Sequence, residues 1–223
     1  MFESRSPLEG RLAAGGRDGA DGRRTLRLTE IRNGHLVQLG VFAGAAAALE
    51  PIVRSVTGAA LPVSSREVTV AGAHRLYRIA PDQYWIVSVE EGAGQELERA
   101  IAPELGTVTL LSAARVRLGL EGPAAAAVLA HHVALDFDEA QFPPGRFAQS
   151  GIEHAGVLID RRARDRFELY VLRTFAASTF DMLIDTALPY GYELGVETAG
   201  PGRARAGPAS AGAGADADAG VAR

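Results

Sequence analysis

The sequence predicts an α+β protein made of two ferredoxin-like units of the βαββαβ type. Three observations carry this prediction. Stretches of period-two apolar spacing alternate with Ala-rich stretches of helical spacing. The order β–α–β–β–(β)–α–β occurs twice, at 35–111 and at 115–196. Short turn signals join successive strands, which favours a largely antiparallel sheet with helices on one face.

The first strands are read at Thr25–Arg32 and His35–Val41. Between them Asn33-Gly34 signals a hairpin, because both residues tolerate the positive φ of a tight turn. An Ala-rich helix follows from Phe42 to Val56, with Pro51 predicting a kink or an early stop. Glu67–Val70, His74–Ala80 and Tyr84–Val89 read as strands punctuated by Ala71-Gly72 and Pro81-Asp82. A helix from Gln95 to Ala102 stops before Pro103, and Thr107–Leu111 closes the unit as a strand.

The second unit opens on the alternating strand Arg115–Leu120. Gly122-Pro123 starts a helix to His131, with proline in the first turn where its missing N–H costs little. Strands follow at Phe147–Ile152, Gly156–Asp160 and Phe167–Arg173. Thr174 is the expected N-cap of a last helix to Leu188 that places Ala176, Phe180, Leu183, Ile184 and Ala187 on one face. Pro189 ends it, and Tyr190–Val196 adds a final strand. Outside this 25–197 domain, residues 1–24 read as a flexible N-terminal arm. Residues 198–223, with ten Ala and six Gly, read as a disordered tail.

Composition removes several chemistries. The chain has 223 residues, a formal net charge of −4, no cysteine and no lysine, so all 23 basic residues are arginine. Without cysteine there is no disulfide, thiolate nucleophile or Cys-held metal. Without lysine there is no Schiff base and no phosphate-loop lysine. The near-neutral balance does not advertise nucleic acid or an anionic membrane. The first 24 residues lack the apolar run of a secretory signal, and no apolar stretch approaches the ~20 residues of a membrane span, so a cytoplasmic location is expected.

The search for a site ends without one: no catalytic, cofactor-binding or metal-binding residue is assigned. The histidines are scattered at 35, 74, 131, 132 and 154, and adjacent His131 and His132 point to different helix faces. Trp85–Val89 followed by Gly92-Ala93-Gly94 begins like a dinucleotide fingerprint, but Leu97 occupies the third glycine position, so a hairpin or loop glycine pair is the expected reading. Ser88, Ser112 and Ser150 have no histidine at a recognised spacing. Asp136, Asp138 and Glu139 read as solvated or capping acids. Arg161, Arg162, Arg164 and Arg166, interleaved with Asp160 and Asp165, read as a solvated turn, and Tyr84 and Trp85 as core or interface aromatics.

Six short segments in a fixed order nevertheless resemble the gamma subunit of heterotetrameric sarcosine oxidase. They are Arg5-Ser6-Pro7-Leu8, Ala80-Pro81-Asp82-Gln83-Tyr84-Trp85, Arg117–Pro123 with Ala126–Leu129, Leu135-Asp136-Phe137, Phe142-Pro143-Pro144-Gly145 and Arg173–Ser178. Thr174, Phe180 and Ser150 depart from the family's common Ser, Trp and Thr. The resemblance implies a fold similar to the N-terminal part of folate-binding aminomethyltransferase proteins. It also implies a non-catalytic role beside alpha, beta and delta subunits. In that family the complex oxidises sarcosine with O2 to glycine and H2O2 and passes the one-carbon unit to tetrahydrofolate. The FAD, FMN, NAD, tetrahydrofolate site and zinc belong to the other subunits. Two alternatives stay open: a stand-alone folate-binding aminomethyltransferase-like protein with Asp136 as its pocket carboxylate, and a subunit of a related N-methyl amino acid dehydrogenase. The Ser6-Pro7-Leu8 arm is expected to dock extended on a partner, and the chain alone to be poorly soluble or self-associating.

Overall fold

Alternating apolar residues give each strand a buried side for a helix pair and a second side for another sheet. In the computed structural model, which describes residues 5–12 and 15–200, two sheets therefore stand face to face, each carrying helices on its outer side. Strands β1 (Gly16–Arg17) and β2 (Leu26–Arg32) precede the first unit. That unit runs through β3 (His35–Val41), α1 (Ala46–Thr57), β4 (Val68–Ala71), β5 (His74–Ala80), β6 (Gln83–Ser88), α2 (Ala93–Ala100) and β7 (Gly106–Leu110). Its sheet has the order β4-β5-β6-β3-β7, antiparallel throughout. Without the edge strand β4 this is the ferredoxin-like order.

The second unit comprises β8 (Arg115–Glu121), α3 (Ala125–Ala130), β9 (Phe147–Ile152), β10 (Ala155–Ala163), β11 (Arg166–Leu172), α4 (Ala176–Ala187) and β12 (Tyr192–Thr198). Its sheet order is β1-β12-β2-β8-β11-β10-β9. Strand β2 is inserted between the first and last strands of the unit, antiparallel to β8 and parallel to β12. The hairpin expected across Asn33-Gly34 is therefore not formed. Only Asn33 takes a positive φ, 59°, whereas the expected tight turn needs it at both central residues. The pair instead passes the chain from one sheet to the other.

Three apolar clusters fill the layers. Leu28, Leu118, Leu120, Phe167, Leu169, Phe180 and Leu183 pack between the seven-stranded sheet and α3 and α4. Leu39, Leu49, Val53, Leu76, Ile86 and Leu97 pack between the five-stranded sheet and α1 and α2. Leu36, Tyr77, Trp85, Phe147, Leu158 and Tyr170 lie between the sheets. Helix α1 continues through Pro51, which sits on its exposed side. The last helix keeps its predicted face, with Ile184 only half-buried, but its start differs. A 3-10 turn over Arg173–Phe175 precedes α4, and Thr174 is exposed without a side-chain capping bond.

The flexible-arm expectation for residues 1–24 needs correction over the described part. Leu8 is fully buried in the second core. Ser6 Oγ donates to Glu30 Oε1 at 2.5 Å and accepts from Leu8 N–H at 3.0 Å. Further along, β1 pairs with β12 through Gly16↔Glu193 and Arg17↔Tyr192. The segment turns back on its own domain because Leu8 and Leu12 have an apolar face of that domain to cover. The rest of the Ala/Gly tail, from 201 on, lies outside the described residues.

Candidate functional site

The most unusual chemistry in the molecule is a set of paired charges between the two sheets. Along β10 and β11 the residues that face the other sheet are not all apolar: Leu158 and Tyr170 are joined by Asp160 and Glu168, both almost completely buried. Asp160 accepts from Tyr77 Oη at 2.8 Å and lies 2.8 Å from an Arg75 nitrogen and 3.4 Å from Arg162. Tyr77 and Tyr170 share a hydroxyl–hydroxyl bond of 3.2 Å. Glu168 lies 2.9 Å from Arg117 and 3.5 Å from Arg162. Arg117 also lies over the Tyr170 ring, 5.5 Å from its centroid, and Arg115 over Trp85 at 4.9 Å.

The electrostatics split the two carboxylates. Burial pushes Asp160 upward, and Arg75 and Arg162 do not fully offset it. Burial acts on Glu168 in the same way, but Arg117, Arg162 and Arg166 together hold its carboxyl below the usual range. Burial also pushes both phenols up, so Tyr77 and Tyr170 stay protonated at working pH. The network joins β5 to β10 across the two sheets and β8 to β11 within one of them, with no pairing of nucleophile and free base within it.

The residues singled out in the sequence do not converge. His74 is buried with Nε2 3.4 Å from Glu90, while His132 Nε2 meets Thr186 Oγ1 at 2.6 Å. Burial, then the neighbouring His131, lowers the His132 pKa. Among the described residues no group of three or more His, Asp or Glu side chains is placed to hold a metal ion. Asp136 accepts from the Asp138 N–H at 2.9 Å, Asp138 from the Ala140 N–H at 2.8 Å, and all three acids of that loop are exposed. Ser88 bonds the backbone of Glu90, and Ser112 accepts from the Leu36 N–H. Gly92, at φ 88°, starts α2, and Gly94 lies inside that helix against Leu110 and Val37. The glycine pair thus serves a strand-to-helix step, not a hairpin.

The arginine run is not a solvated turn. Only Arg164 and Asp165 stand at the tip between β10 and β11. Arg161 is buried and donates to the Phe137 and Phe142 carbonyls at 2.9 and 2.5 Å, pinning the Phe142-Pro143-Pro144-Gly145 loop. Arg162 serves both buried carboxylates. The missed network had a signal: Asp160 follows the apolar run Val157-Leu158-Ile159, and Glu168 interrupts the apolar residues of β11.

Two depressions open at the surface. One, of about 840 Å³, runs between the Val63–Arg66 stretch, Arg78–Pro81 and the Gln141–Pro143 loop. The other, of about 270 Å³, lies under the N-terminal segment at the Asn33-Gly34 crossover.

Fold and site together define a class: a double ferredoxin-like protein with a buried polar network at the joint between its two sheets. The chain belongs to the sarcosine oxidase gamma subunit family, whose family model matches residues 42–188. A curated relative, sarcosine oxidase subunit gamma from Corynebacterium sp. (strain U-96), is 30% identical over 167 residues, 74% of this chain and 80% of that protein. The solved heterotetrameric sarcosine oxidase from Corynebacterium sp. U-96 in complex with pyrrole 2-carboxylate contains a similar chain. The match has 26% identity and a TM-score of 0.73, and covers 83% of this chain and 95% of that one. Aminomethyltransferase T of the glycine cleavage system from Bartonella henselae shares the fold, at 17% identity and a TM-score of 0.55, over 86% of this chain and 57% of that one.

Proposed function

We propose that this chain is the non-catalytic gamma subunit of a heterotetrameric sarcosine oxidase, packed beside alpha, beta and delta subunits in the cytoplasm. The complex would oxidise sarcosine with O2 and tetrahydrofolate to glycine, H2O2 and 5,10-methylenetetrahydrofolate, with FAD, FMN, NAD, the folate and zinc held by the other subunits. One observation carries this reading: the kinship extends over nearly the whole of the related gamma chain, 80% of the curated relative and 95% of the solved one. The site geometry is in keeping with it, since both buried carboxylates are tied to arginines, Asp160 to Arg75 across the joint between the sheets and Glu168 to Arg117 within one sheet. No helix among the described residues is long and apolar enough to cross a membrane.

Co-expression with the neighbouring subunit genes tests the proposal. The expected product is a four-subunit complex that contains this chain and releases H2O2 when given sarcosine. A chain that never co-purifies with the others, or a complex that prefers other N-methyl amino acids, would overturn it; the second result would favour a related dehydrogenase. The stand-alone folate reading has little structural support, because Asp136 is exposed and bonded to its own loop. Saturable tetrahydrofolate binding to the isolated chain, lost in Asp136→Asn, would revive it.

A further inference from the structure

The depression of about 270 Å³ beneath the N-terminal segment is walled by five arginines, Arg5, Arg32, Arg115, Arg117 and Arg173, against a single carboxylate, Glu30. That carboxylate is already engaged, accepting from Ser6 and pairing with Arg32 at 2.7 Å. Arg117 forms the inner wall. Its NH2 group binds Glu168, but its Nε and NH1 are buried with no acceptor. Gly34 is what leaves room for that guanidinium, since a Cβ there would collide with NH1. Arg173 donates to the Arg5 carbonyl, and Arg115 lies over Trp85. Among the described residues neither has a carboxylate partner.

Burying a cationic donor without an acceptor is costly. Here Arg117 bears that cost, at a place where arginines from three other segments of chain converge. Guanidinium forks are the side chains best matched to planar and tetrahedral oxyanions, which they bind with paired N–H groups. The space fits one small group and not an extended ligand.

We propose that this pocket binds a small oxyanion, a carboxylate or phosphate group, held by Arg115 and Arg173 in the positive field of Arg117 and Arg32. The oxyanion has two possible sources, a free small anion or a carboxylate side chain of an associated subunit. The site does not depend on the functional proposal above.

The test titrates the full chain, alone and in its purified complex, with inorganic phosphate and with acetate, using potassium chloride at matched ionic strength as the control. Calorimetry on the isolated chain should show one saturable site. Arg115→Gln and Arg173→Gln should each weaken it about tenfold or more, while the ligand-free unfolding midpoint stays within a few degrees of the parent. Saturation in both the chain and the complex assigns the site to a free anion. Saturation of the chain alone, together with slower assembly of both variants, assigns it to a partner's carboxylate. Binding that chloride reproduces, that survives both substitutions, or that is absent from chain and complex alike overturns the proposal.

Discussion

The two faces of the seven-stranded sheet are made by the same strands and held by different physics. Toward α3 and α4, Leu28, Leu118, Phe167 and Leu169 form a continuous apolar surface with no exposure. Toward the other sheet, Asp160 and Tyr170 meet Arg75, Tyr77 and Trp85 through an ion pair, hydroxyl bonds and ring contact, while Arg117 and Glu168 pair with each other within the seven-stranded sheet. Apolar burial is non-directional and scales with area, so the helix face contributes most of the stability. Buried ion pairs add little net energy once desolvation is counted, but they tolerate only one alignment. The polar face therefore fixes how the two units sit against each other.

This contrast makes quantitative predictions. Phe180→Ala, in the middle of the apolar face, should lower unfolding stability by about 4 kcal/mol, the transfer loss plus the cavity left behind. Glu168→Gln should cost about 3 kcal/mol, because it leaves Arg117 buried without its counter-charge. Asp160→Asn should cost less, about 2 kcal/mol. The amide still accepts from Tyr77, and burial already works against the charge it replaces. Urea unfolding at neutral pH checks all three. A cost for Asp160→Asn above that of Phe180→Ala would reverse the ranking of the faces.

The two carboxylates should also respond to acid with opposite signs. Glu168 has a depressed folded pKa, so its stabilisation is complete above the unfolded value of about 4.3 and disappears as pH falls through the folded one. The gap between parent and Glu168→Gln should therefore narrow on going from pH 7 to pH 3. Asp160 has a raised folded pKa, so its contribution is complete below about pH 3.9 and shrinks as pH rises through the folded value. The gap between parent and Asp160→Asn should widen on acidification. Two gaps moving in the same direction would show that the carboxylates are not electrostatically distinct.

The apolar face was legible in the sequence and the polar face was not. Period-two and helical spacing locate the strands and the buried side of α4, because each core residue announces itself by type. The placement of β2 was hidden: Asn33-Gly34 carries the composition of a hairpin, and only the strand pairing, with β2 beside β8 and β3 beside β6, shows that it bridges two sheets. Arg161 and Arg162 were hidden for a related reason. An arginine in a charged run looks solvated until the chain supplies buried carbonyls and carboxylates at its tip. The ordered family segments marked the Phe142–Gly145 loop without saying that Arg161 holds it.

The smallest expected effect is on the N-terminal segment, where the same two kinds of contact act side by side. Leu8 is fully buried in the second core, while Arg11 pairs with Asp181 at 3.0 Å with about half of each side chain in water. Solvent screens such a pair and the side chains lose rotamer freedom in forming it, so Arg11→Ala should cost less than about 1 kcal/mol. Leu8→Ala should cost about 2–3 kcal/mol and expose β2 and α4 to faster hydrogen exchange. Comparable effects from the two substitutions would mean that the segment is held by its charges. The expected inequality would place its anchoring in the core, and would confine strong polar coupling in this fold to the dry seam between the sheets.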